Sequence, residues 1–319
     1  MQGARSPIVA DVTDAKNPRA ICTLAGGPFQ PELVTQTTIS WYASQGSPNT
    51  PGTSVIAFLD LFTGISTVAT SWQGGSFLDG LHAWSADRGF LAYVTSDSSA
   101  VNVHLLSGGG DRVVATLGAV VGRGPNPNED DAYLAFSPDG AYFALDETYA
   151  SAGDQLQVRR TTDGSLAFSL ASATMATWGS TGSKLYYRPP GSGAIQMWDS
   201  SAGASQAIGQ QLAWIRPRAD PGDDNLAFTV RDSADKPHVW LYGHSGRSGG
   251  ELQQIRSSPV WLNSTTIFYV EEAACSPNCN LGPAWQPDGT TFTFDLAAQA
   301  ETGSKISQVY GAWPRVGQV

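Results

Sequence analysis

Hydrophobic and polar positions alternate along this chain in short runs that are separated by turn residues. The clearest case is residues 133–170, YLAFSPDGAYFALDETYASAGDQLQVRRTTDGSLAFSL. It contains four apolar runs, with Ser-Pro-Asp-Gly between the first two and Thr-Thr-Asp-Gly between the last two. Such alternation predicts four antiparallel strands. Four strands in about 40 residues is the size of one β-propeller blade.

The same unit recurs along the chain with loops of different length. Such recurrence is expected, since one four-stranded sheet can bury both of its faces only between neighbouring sheets. An aromatic residue recurs in the first strand of the units, and we expect it to pack between blades. These aromatic residues are Trp84, Phe136, Trp178, Trp214, Trp261 and Trp313. The predicted blades are residues 29–72, 80–118, 131–171, 175–209, 211–256 and 258–307.

The two ends of the chain look like parts of one further blade. Residues 6–24 predict a pair of outer strands, and residues 308–319 predict a single inner strand. Joining them would close a ring and remove exposed sheet edges. The sequence therefore predicts an all-β fold, a single β-propeller domain over residues 1–319. Seven blades are favoured, and a six-bladed ring with irregular ends is the alternative.

Composition excludes several classes of function. Charged residues make up 14% of the chain and the net charge is −10, so no basic surface is expected for nucleic acid or anionic lipid. No apolar run approaches the ~20 residues of a membrane span, and residues 1–5 lack the apolar core of a signal peptide. We expect an extracytoplasmic protein whose signal or anchor is not part of this sequence; a cytoplasmic location is the alternative.

The cysteines support the extracytoplasmic interpretation. Cys275 and Cys279 bracket Ser-Pro-Asn in a loop-like stretch, and a small-loop disulfide is the favoured interpretation. A metal site is the alternative, but this pair offers two ligands where zinc needs four. The four histidines are dispersed, so neither a histidine-rich metal site nor a catalytic triad is predicted.

The third unit resembles the repeat of TolB-type, WD-repeat-like propellers of bacterial envelopes. The residues that carry the resemblance are 135–140 (AFSPDG), 156–159 and 162–164. They define turns, so the resemblance implies the fold and little else. The resemblance to this group implies a protein that binds other proteins in the periplasm or at the cell surface. Related propellers control access in serine peptidases, but the G-x-S-x-G match at residues 246–250 lies in a predicted turn between outer strands, and not in the strand–turn–helix context of a hydrolase nucleophile.

Long loops concentrate on one face of the predicted propeller, at the connections between second and third strands and between blades. We call this the long-loop face, and such insertions usually mark a binding face. Charged residues recur where second strands end there, and Trp285 adds an aromatic surface. The candidates for ligand or partner binding are Asp97, Asp146, Glu147, Arg188, Arg231, Asp232, Glu271, Glu272 and Trp285. Simple solvation of strand ends is the alternative.

Two further chemistries remain open from the sequence. Residues 126–131 (NPNEDD) offer oxygen ligands that calcium accepts, but they lack the spacing of a known calcium loop, so a solvated acidic loop is favoured and no cofactor is expected. Carboxylates from different blades could also act in glycoside cleavage. The favoured hypothesis is a non-enzymatic scaffold that binds a protein or polysaccharide at the cell surface, as one part of a larger envelope assembly. The alternative is a carbohydrate-active hydrolase or lyase.

Overall fold

In a computed structural model, strands and turns account for the described part of the chain. It describes residues 8–11, 16–23, 29–35, 37–44, 52–73, 81–96, 100–118, 132–147, 155–182, 184–191, 194–208, 217–222, 225–243, 250–274 and 285–306. No helix occurs among these residues, and hence none that could span a membrane. The first two strands, β1 (Ile8–Asp11) and β2 (Arg19–Thr23), form a two-stranded sheet.

The remaining strands fall into two compact units, whose boundary lies between Thr174 and Met175. The first unit holds three antiparallel sheets, in each of which neighbouring strands follow one another along the chain. The first sheet contains β3 (Phe29–Thr35), β4 (Thr38–Ser44), β5 (Thr53–Asp60) and β6 (Ser66–Gln73). The second contains β7 (His82–Trp84), β8 (Phe90–Ser96), β9 (Val101–Ser107) and β10 (Gly110–Thr116). The third contains β11 (Ala132–Phe136), β12 (Tyr142–Glu147), β13 (Gln155–Arg160) and β14 (Leu166–Ala171).

The second unit holds three more sheets with the same strand order. The fourth sheet contains β15 (Thr174–Trp178), β16 (Lys184–Arg188), β17 (Gln196–Asp199) and β18 (Ala204–Ala207). The fifth contains β19 (Arg218–Ala219), β20 (Asn225–Arg231), β21 (Pro237–Gly243) and β22 (Gly250–Gln254). The sixth contains β23 (Arg256–Trp261), β24 (Thr266–Ala274), β25 (Trp285–Asp295) and β26 (Ala300–Ser304).

The turns between first and second strands are built by the residues that the sequence motif contains. Ser137 Oγ donates to Asp139 Oδ1 at 2.6 Å and accepts from the Tyr142 amide at 3.0 Å. Gly140 closes the turn with φ of 68°, a conformation that glycine adopts without strain. Ser85 and Asp87 make the same serine–aspartate bond at 2.6 Å in the second sheet. Residues 84–89 (WSADRG), which match the motif of the third sheet less closely, therefore form the same turn.

Aspartates at the ends of third strands fix the turns that follow. Asp60, Asp199 and Asp295 each accept a backbone hydrogen bond from the residue two positions later, at 2.8–2.9 Å. These Asx turns start the return to the fourth strand. Backbone and hydroxyl donors lower the pKa of the Asp60 carboxyl, the largest effect coming from the Thr63 amide.

Apolar side chains of neighbouring sheets form the cores of each unit. In the first unit, Val103 and Leu105 of the second sheet pack with Phe143 and Leu145 of the third. In the second unit, Tyr186 and Met197 of the fourth sheet belong to one cluster with Phe228 of the fifth. Second strands are therefore largely buried, whereas the fourth strands are mostly exposed. This is the burial pattern of stacked blades.

The recurring aromatic residues join adjacent sheets, as predicted. The Trp84 ring lies 4.6 Å from the Phe58 ring of the preceding sheet, and its indole N–H donates to Ser40 Oγ at 3.1 Å. The Trp261 indole donates to the Arg218 carbonyl of the preceding sheet at 3.0 Å. Trp178 is buried. Trp214 and Trp313 lie outside the described residues.

The all-β fold class is confirmed. The described residues form six four-stranded sheets together with the β1–β2 pair. That count fits the six-bladed alternative. The inner strand predicted at residues 308–319, on which the seventh blade depends, lies outside the described residues, so the seven-blade arrangement stays a prediction.

Candidate functional site

The second strands of the fifth and sixth sheets bring two of the predicted charges together. The Arg231 guanidinium donates to both carboxylate oxygens of Glu272, at 3.0 and 2.8 Å. Only 6% of the Arg231 side chain and 2% of the Glu272 side chain are exposed. Arg231 also donates to the Asp235 carbonyl at 2.8 Å. This buried bidentate pair connects two sheets at the long-loop face, so both charges serve packing there.

A second cluster lies beside it on the sixth sheet and is more open to solvent. Arg256 donates to Glu271 at 3.0 Å and to both carboxylate oxygens of Glu301, at 3.2 and 3.0 Å. Its guanidinium lies 4.1 Å from the centre of the Phe292 ring. The Tyr269 hydroxyl donates to Glu301 at 2.7 Å. The Glu271 and Glu301 side chains remain 31% and 24% exposed, so solvent or a ligand can reach them. We call Arg256, Glu271, Glu301 and Tyr269 the Arg256 cluster.

Burial and charge act in opposite directions on this cluster. Burial lowers the pKa of Arg256, but the carboxylates of Glu301 and Glu271 outweigh it and raise that pKa. Burial, followed by the hydrogen bond to Glu301, raises the pKa of Tyr269 far above its usual value. The arginine therefore stays charged and the phenol stays protonated over the whole physiological range.

The shifted tyrosine predicts how stability depends on pH. Unfolded tyrosine ionises near pH ~10, whereas folded Tyr269 keeps its proton well above that pH. Its contribution is therefore complete below pH ~10 and is lost as the pH rises further, by up to about 1.4 kcal/mol per pH unit. We expect the free energy of urea unfolding to fall less between pH ~9 and pH ~11.5 in Tyr269→Phe than in the parent. Equal losses in the two proteins would contradict the assignment.

A strained connection lies between the two charged clusters. Ile255 joins β22 to β23 with φ of 59°, which is unusual for a β-branched residue. Its amide donates to the Pro237 carbonyl at 2.8 Å, and its carbonyl accepts from the Glu272 amide at 3.0 Å. These bonds hold the connection against the third strand of one sheet and the second strand of the next. The backbone at this face is thus fixed from both sides.

Asp232 has a local role in the loop between β20 and β21. Its Oδ1 accepts from the amides of Ala234 and Lys236 at 2.8 and 2.9 Å, and its Oδ2 lies 3.2 Å from His238 Nε2. The amide of Lys236 makes the largest contribution to the lowered pKa of Asp232. Glu251 Oε2 lies 3.2 Å from the other ring nitrogen of His238. Asp232 therefore shapes its own loop.

The longest strands of the described chain project at the same face. β24 has nine residues and β25 has eleven, and they stay paired beyond Glu272 through Ala273–Gln286 and Ala274–Trp285. Trp285 is partly exposed, and the next five residues are exposed. This two-stranded ribbon carries an indole ring and polar side chains outward from the Arg256 cluster's sheet.

The other predicted site residues are placed as follows. Asp146 is only 1% exposed in β12, and its backbone lies in register with Tyr133 and Leu156. Glu147 ends the same strand. Arg188 ends β16 and is half-buried. Asp97, Cys275, Cys279 and the acidic residues 126–131 lie outside the described residues, so the disulfide and the calcium site stay predictions. In the part of the chain that the structure describes, no group of three or more potential metal ligands is found.

Sequence reasoning missed Arg256, Glu301 and Tyr269. Tyr269 and Glu271 are two positions apart in one strand, and such residues lie on the same face of a sheet. The sequence could therefore have predicted that Tyr269 lies near Glu271. Arg256 directly follows the strained connection and Glu301 lies in an outer strand. Their approach depends on how β23 and β26 flank the middle strands of the sheet, which no local pattern encodes.

Comparison with known proteins supports the fold. No protein-family model matches the sequence, and no curated protein matches it. Among solved structures, a prolyl endopeptidase matches 94% of this chain and 46% of its own, with 11% identity and a TM-score of 0.62. The β-propeller domain of the Trilobed protease from Pyrococcus furiosus matches 87% of this chain and 83% of its own, with 7% identity and a TM-score of 0.57. These likenesses establish a β-propeller.

TolB structures are also among the matches. TolB from Acinetobacter baumannii is 17% identical, with a TM-score of 0.49, over 74% of this chain and 57% of its own. The chain therefore spans little more than half of that protein and less than half of the prolyl endopeptidase. The β-propeller assignment rests on the matches with higher TM-scores.

Proposed function

We propose that this chain is a non-enzymatic, extracytoplasmic binding propeller that recognises a protein or a glycan through its long-loop face. The observation that carries the proposal is the β24–β25 ribbon, which continues past the buried Arg231–Glu272 pair and exposes Trp285 and the residues after it. A hydrogen-bonded ribbon beside a connection that is itself held by backbone hydrogen bonds presents side chains that are already partly ordered, which lowers the entropic cost of binding.

The chemistry of this surface suits a polar ligand that has flat apolar parts. An indole combines a large apolar face with a hydrogen-bond donor, and partly exposed tryptophans of this kind are typical of binding surfaces. Glu271 and Glu301 offer carboxylate oxygens that remain open to solvent, and Arg256 holds both in place. A sugar ring or an extended peptide satisfies both requirements.

The location is part of the proposal and can be tested separately. The acidic, weakly charged composition and the TolB-type motif support an extracytoplasmic protein that acts as part of a larger envelope assembly. Antibody detection of the native protein after cell fractionation tests this directly. Recovery in the envelope or periplasmic fraction is expected, and recovery in the cytoplasm alone would contradict it.

The binding face is tested by variants of the ribbon. With a ligand that the parent protein selects on a glycan array or in a pull-down from envelope proteins, we expect Trp285→Ala to weaken binding by roughly 30-fold or more, the usual cost of a central aromatic contact. Glu271→Ala is expected to weaken it less. Binding constants from calorimetry measure both effects.

Glu251→Ala is the matched control for Glu271→Ala. Glu251 is 35% exposed and lies near a single histidine, so its exposure resembles that of Glu271, but it belongs to the outer strand β22. The Glu251→Ala variant should bind the ligand with the same binding constant as the parent protein. Equal binding by Trp285→Ala and the parent, for every ligand found, would contradict this assignment of the face.

A second candidate is a carbohydrate-active hydrolase or lyase, which the shared contact of Glu271 and Glu301 with Arg256 favours. Glycoside cleavage uses two carboxyl groups about 5–9 Å apart, and two carboxylates on one guanidinium are held close together. Release of reducing ends or unsaturated products from a polysaccharide panel tests it. Activity that Glu301→Gln abolishes would support this candidate, and no activity on any polysaccharide would leave binding as the function.

A further inference from the structure

His238 of β21 lies between two carboxylates that come from different elements. Its Nε2 lies 3.2 Å from Asp232 Oδ2, in the loop between β20 and β21, and its Nδ1 lies 3.2 Å from Glu251 Oε2, in the outer strand β22. The histidine side chain is 13% exposed, whereas those of Asp232 and Glu251 are 40% and 35% exposed. The imidazole therefore lies between a loop of the long-loop face and the outer strand of the same sheet.

The neutral form of this imidazole satisfies only one of the two contacts. A neutral ring has one N–H donor and one lone pair, whereas an ionised carboxylate only accepts hydrogen bonds. In either tautomer the lone pair therefore faces a carboxylate. Nδ1 is buried and has no well-aligned hydrogen-bond partner among the described residues, although the Glu251 oxygen lies close to it. The imidazolium, which has an N–H on both nitrogens, is the form that suits both carboxylates.

A second histidine of the chain has a different pair of neighbours. His104 Nδ1 lies 3.1 Å from Asp111 Oδ2, and His104 Nε2 lies 3.0 Å from the Thr95 hydroxyl. A hydroxyl can donate, so the neutral ring satisfies both contacts, with its N–H toward Asp111 and its lone pair toward Thr95. The His104 side chain is 16% exposed, which is close to the value for His238. The two histidines therefore differ in the second carboxylate and not in burial.

The carboxylate that faces His238 also orders the loop between β20 and β21. Asp232 Oδ1 accepts from the amides of Ala234 and Lys236, while its Oδ2 faces the imidazole. The amide of Lys236 contributes most to the lowered pKa of Asp232, so this carboxylate keeps its charge at mildly acidic pH. A proton on His238 consequently adds a charge-assisted hydrogen bond to the group that shapes the loop.

Other charged residues lie on the elements around this histidine. His238 is on the same face of β21 as Trp240, which packs against the fourth sheet, so that sheet contributes as well as β20 and the loop. These charged residues are Arg188 at the end of β16, Arg231 at the end of β20, and Asp235 and Lys236 of the loop. Arg231 is bound to Glu272, and Lys236 donates to Gln254 at 3.0 Å. The cations oppose protonation of His238, whereas the two carboxylates at 3.2 Å favour it.

We propose that proton uptake by His238 locks the loop between β20 and β21 to the outer strand β22, so that this part of the long-loop face is more ordered at mildly acidic pH than above neutrality. The imidazolium donates to Asp232 and to Glu251 and thereby joins the two elements. When the proton leaves, Glu251 turns into solvent, because Asp232 is held by two amides and Glu251 is not. An effect of this lock on ligand binding rests on the proposed function of the face, but the lock itself needs no ligand.

Hydrogen exchange at two pH values, without ligand, tests the proposal. Imidazole ordinarily titrates near pH ~6.5, so the amides of residues 232–236 are compared at pH ~5.5 and pH ~8.5, each relative to the exchange rate of an unstructured chain at that pH. In the parent we expect about fivefold more protection at the lower pH, the order expected for two partly exposed ion pairs. In His238→Gln we expect no change with pH. Equal protection of the parent at the two pH values, or an unaltered pH dependence in His238→Gln, would overturn the proposal.

Matched variants separate this lock from a general effect of pH. Glu251→Gln replaces the second carboxylate by an amide, which can donate to the neutral ring, so protection of residues 232–236 should no longer depend on pH. It also serves as the test if His238→Gln fails to fold by circular dichroism. His104→Gln removes the other histidine and should keep the pH dependence of the parent. A pH dependence that survives in Glu251→Gln, or that disappears in His104→Gln, would refute the role of His238. At pH ~8.5, two units above the usual titration of imidazole, Glu251 no longer joins the loop, so Glu251→Ala remains a control for binding there.

Discussion

Glu272→Ala is expected to lower the free energy of unfolding by about 3 kcal/mol, the lower end of the usual cost of breaking a buried ion pair, because the Asp235 carboxylate still lies 3.6 Å from the Arg231 guanidinium. The Arg231 side chain is 6% exposed and bonds both carboxylate oxygens of Glu272. Removing the carboxylate leaves a guanidinium in a position that water hardly reaches. Urea unfolding followed by tryptophan fluorescence measures the loss.

Two controls distinguish a buried charge from a lost contact. Arg231→Met combined with Glu272→Leu removes both buried charges, and it should recover most of the stability that Glu272→Ala loses, because the other carboxylate near Arg231, that of Asp235, is 32% exposed and can be solvated. Glu251→Ala removes a carboxylate that is 35% exposed, and it should cost less than about 1 kcal/mol. A double variant as unstable as Glu272→Ala would show that packing, and not charge, holds the two sheets together here.

Gly164→Ala is expected to cost about 2–4 kcal/mol, from backbone strain and steric overlap together. Gly164 has φ of 70°, and a Cβ placed on it would lie 2.4 Å from Val114 Cγ1 and 2.8 Å from Val114 Cβ. Valine is stiff and cannot turn aside. Val114 belongs to the second sheet and Gly164 to the third, and Arg159 donates to both carbonyls at 2.8 Å. The glycine thus allows two sheets to approach.

Gly140→Ala is the matched control. Gly140 has φ of 68°, but a Cβ on it would meet nothing within 4 Å, so the cost should be the backbone strain alone, about 1 kcal/mol. Combining Gly164→Ala with Val114→Ala should cost less than the sum of the two single changes, by about 1 kcal/mol. Equal unfolding free energies for Gly140→Ala and Gly164→Ala would contradict the close approach of the two sheets.

Local sequence signals predicted the sheets well because each turn is built from neighbouring residues. Ser137, Asp139 and Gly140 close their turn with bonds that span at most five residues. Asp60, Asp199 and Asp295 act over two residues. Such bonds depend on residues close together in the chain, so turn chemistry and alternation together predict the four-stranded units and the propeller fold.

The candidate site was predicted only in part, for a physical reason. The charges at the ends of second strands were found, but whether each faces solvent or a neighbouring sheet depends on packing. Glu271 and Glu272 are adjacent in sequence, yet Glu272 is buried against Arg231 of the fifth sheet while Glu271 bonds Arg256 and remains partly exposed. Adjacent residues of a strand point to opposite faces of the sheet. What packs against each face therefore decides which of the two glutamates is buried and which remains accessible.

The repeat, its turns and the aromatic residues that join the blades could be read from the sequence, since alternation and turn chemistry act over a few residues. The tertiary structure was needed to show which charges are paired across sheets and which glycine lies against a valine of the neighbouring sheet. Those features depend on contacts between residues about 40 to 50 positions apart, such as Arg231 with Glu272 and Arg159 with Val114. Such contacts arise from the stacking of sheets, which no local pattern records.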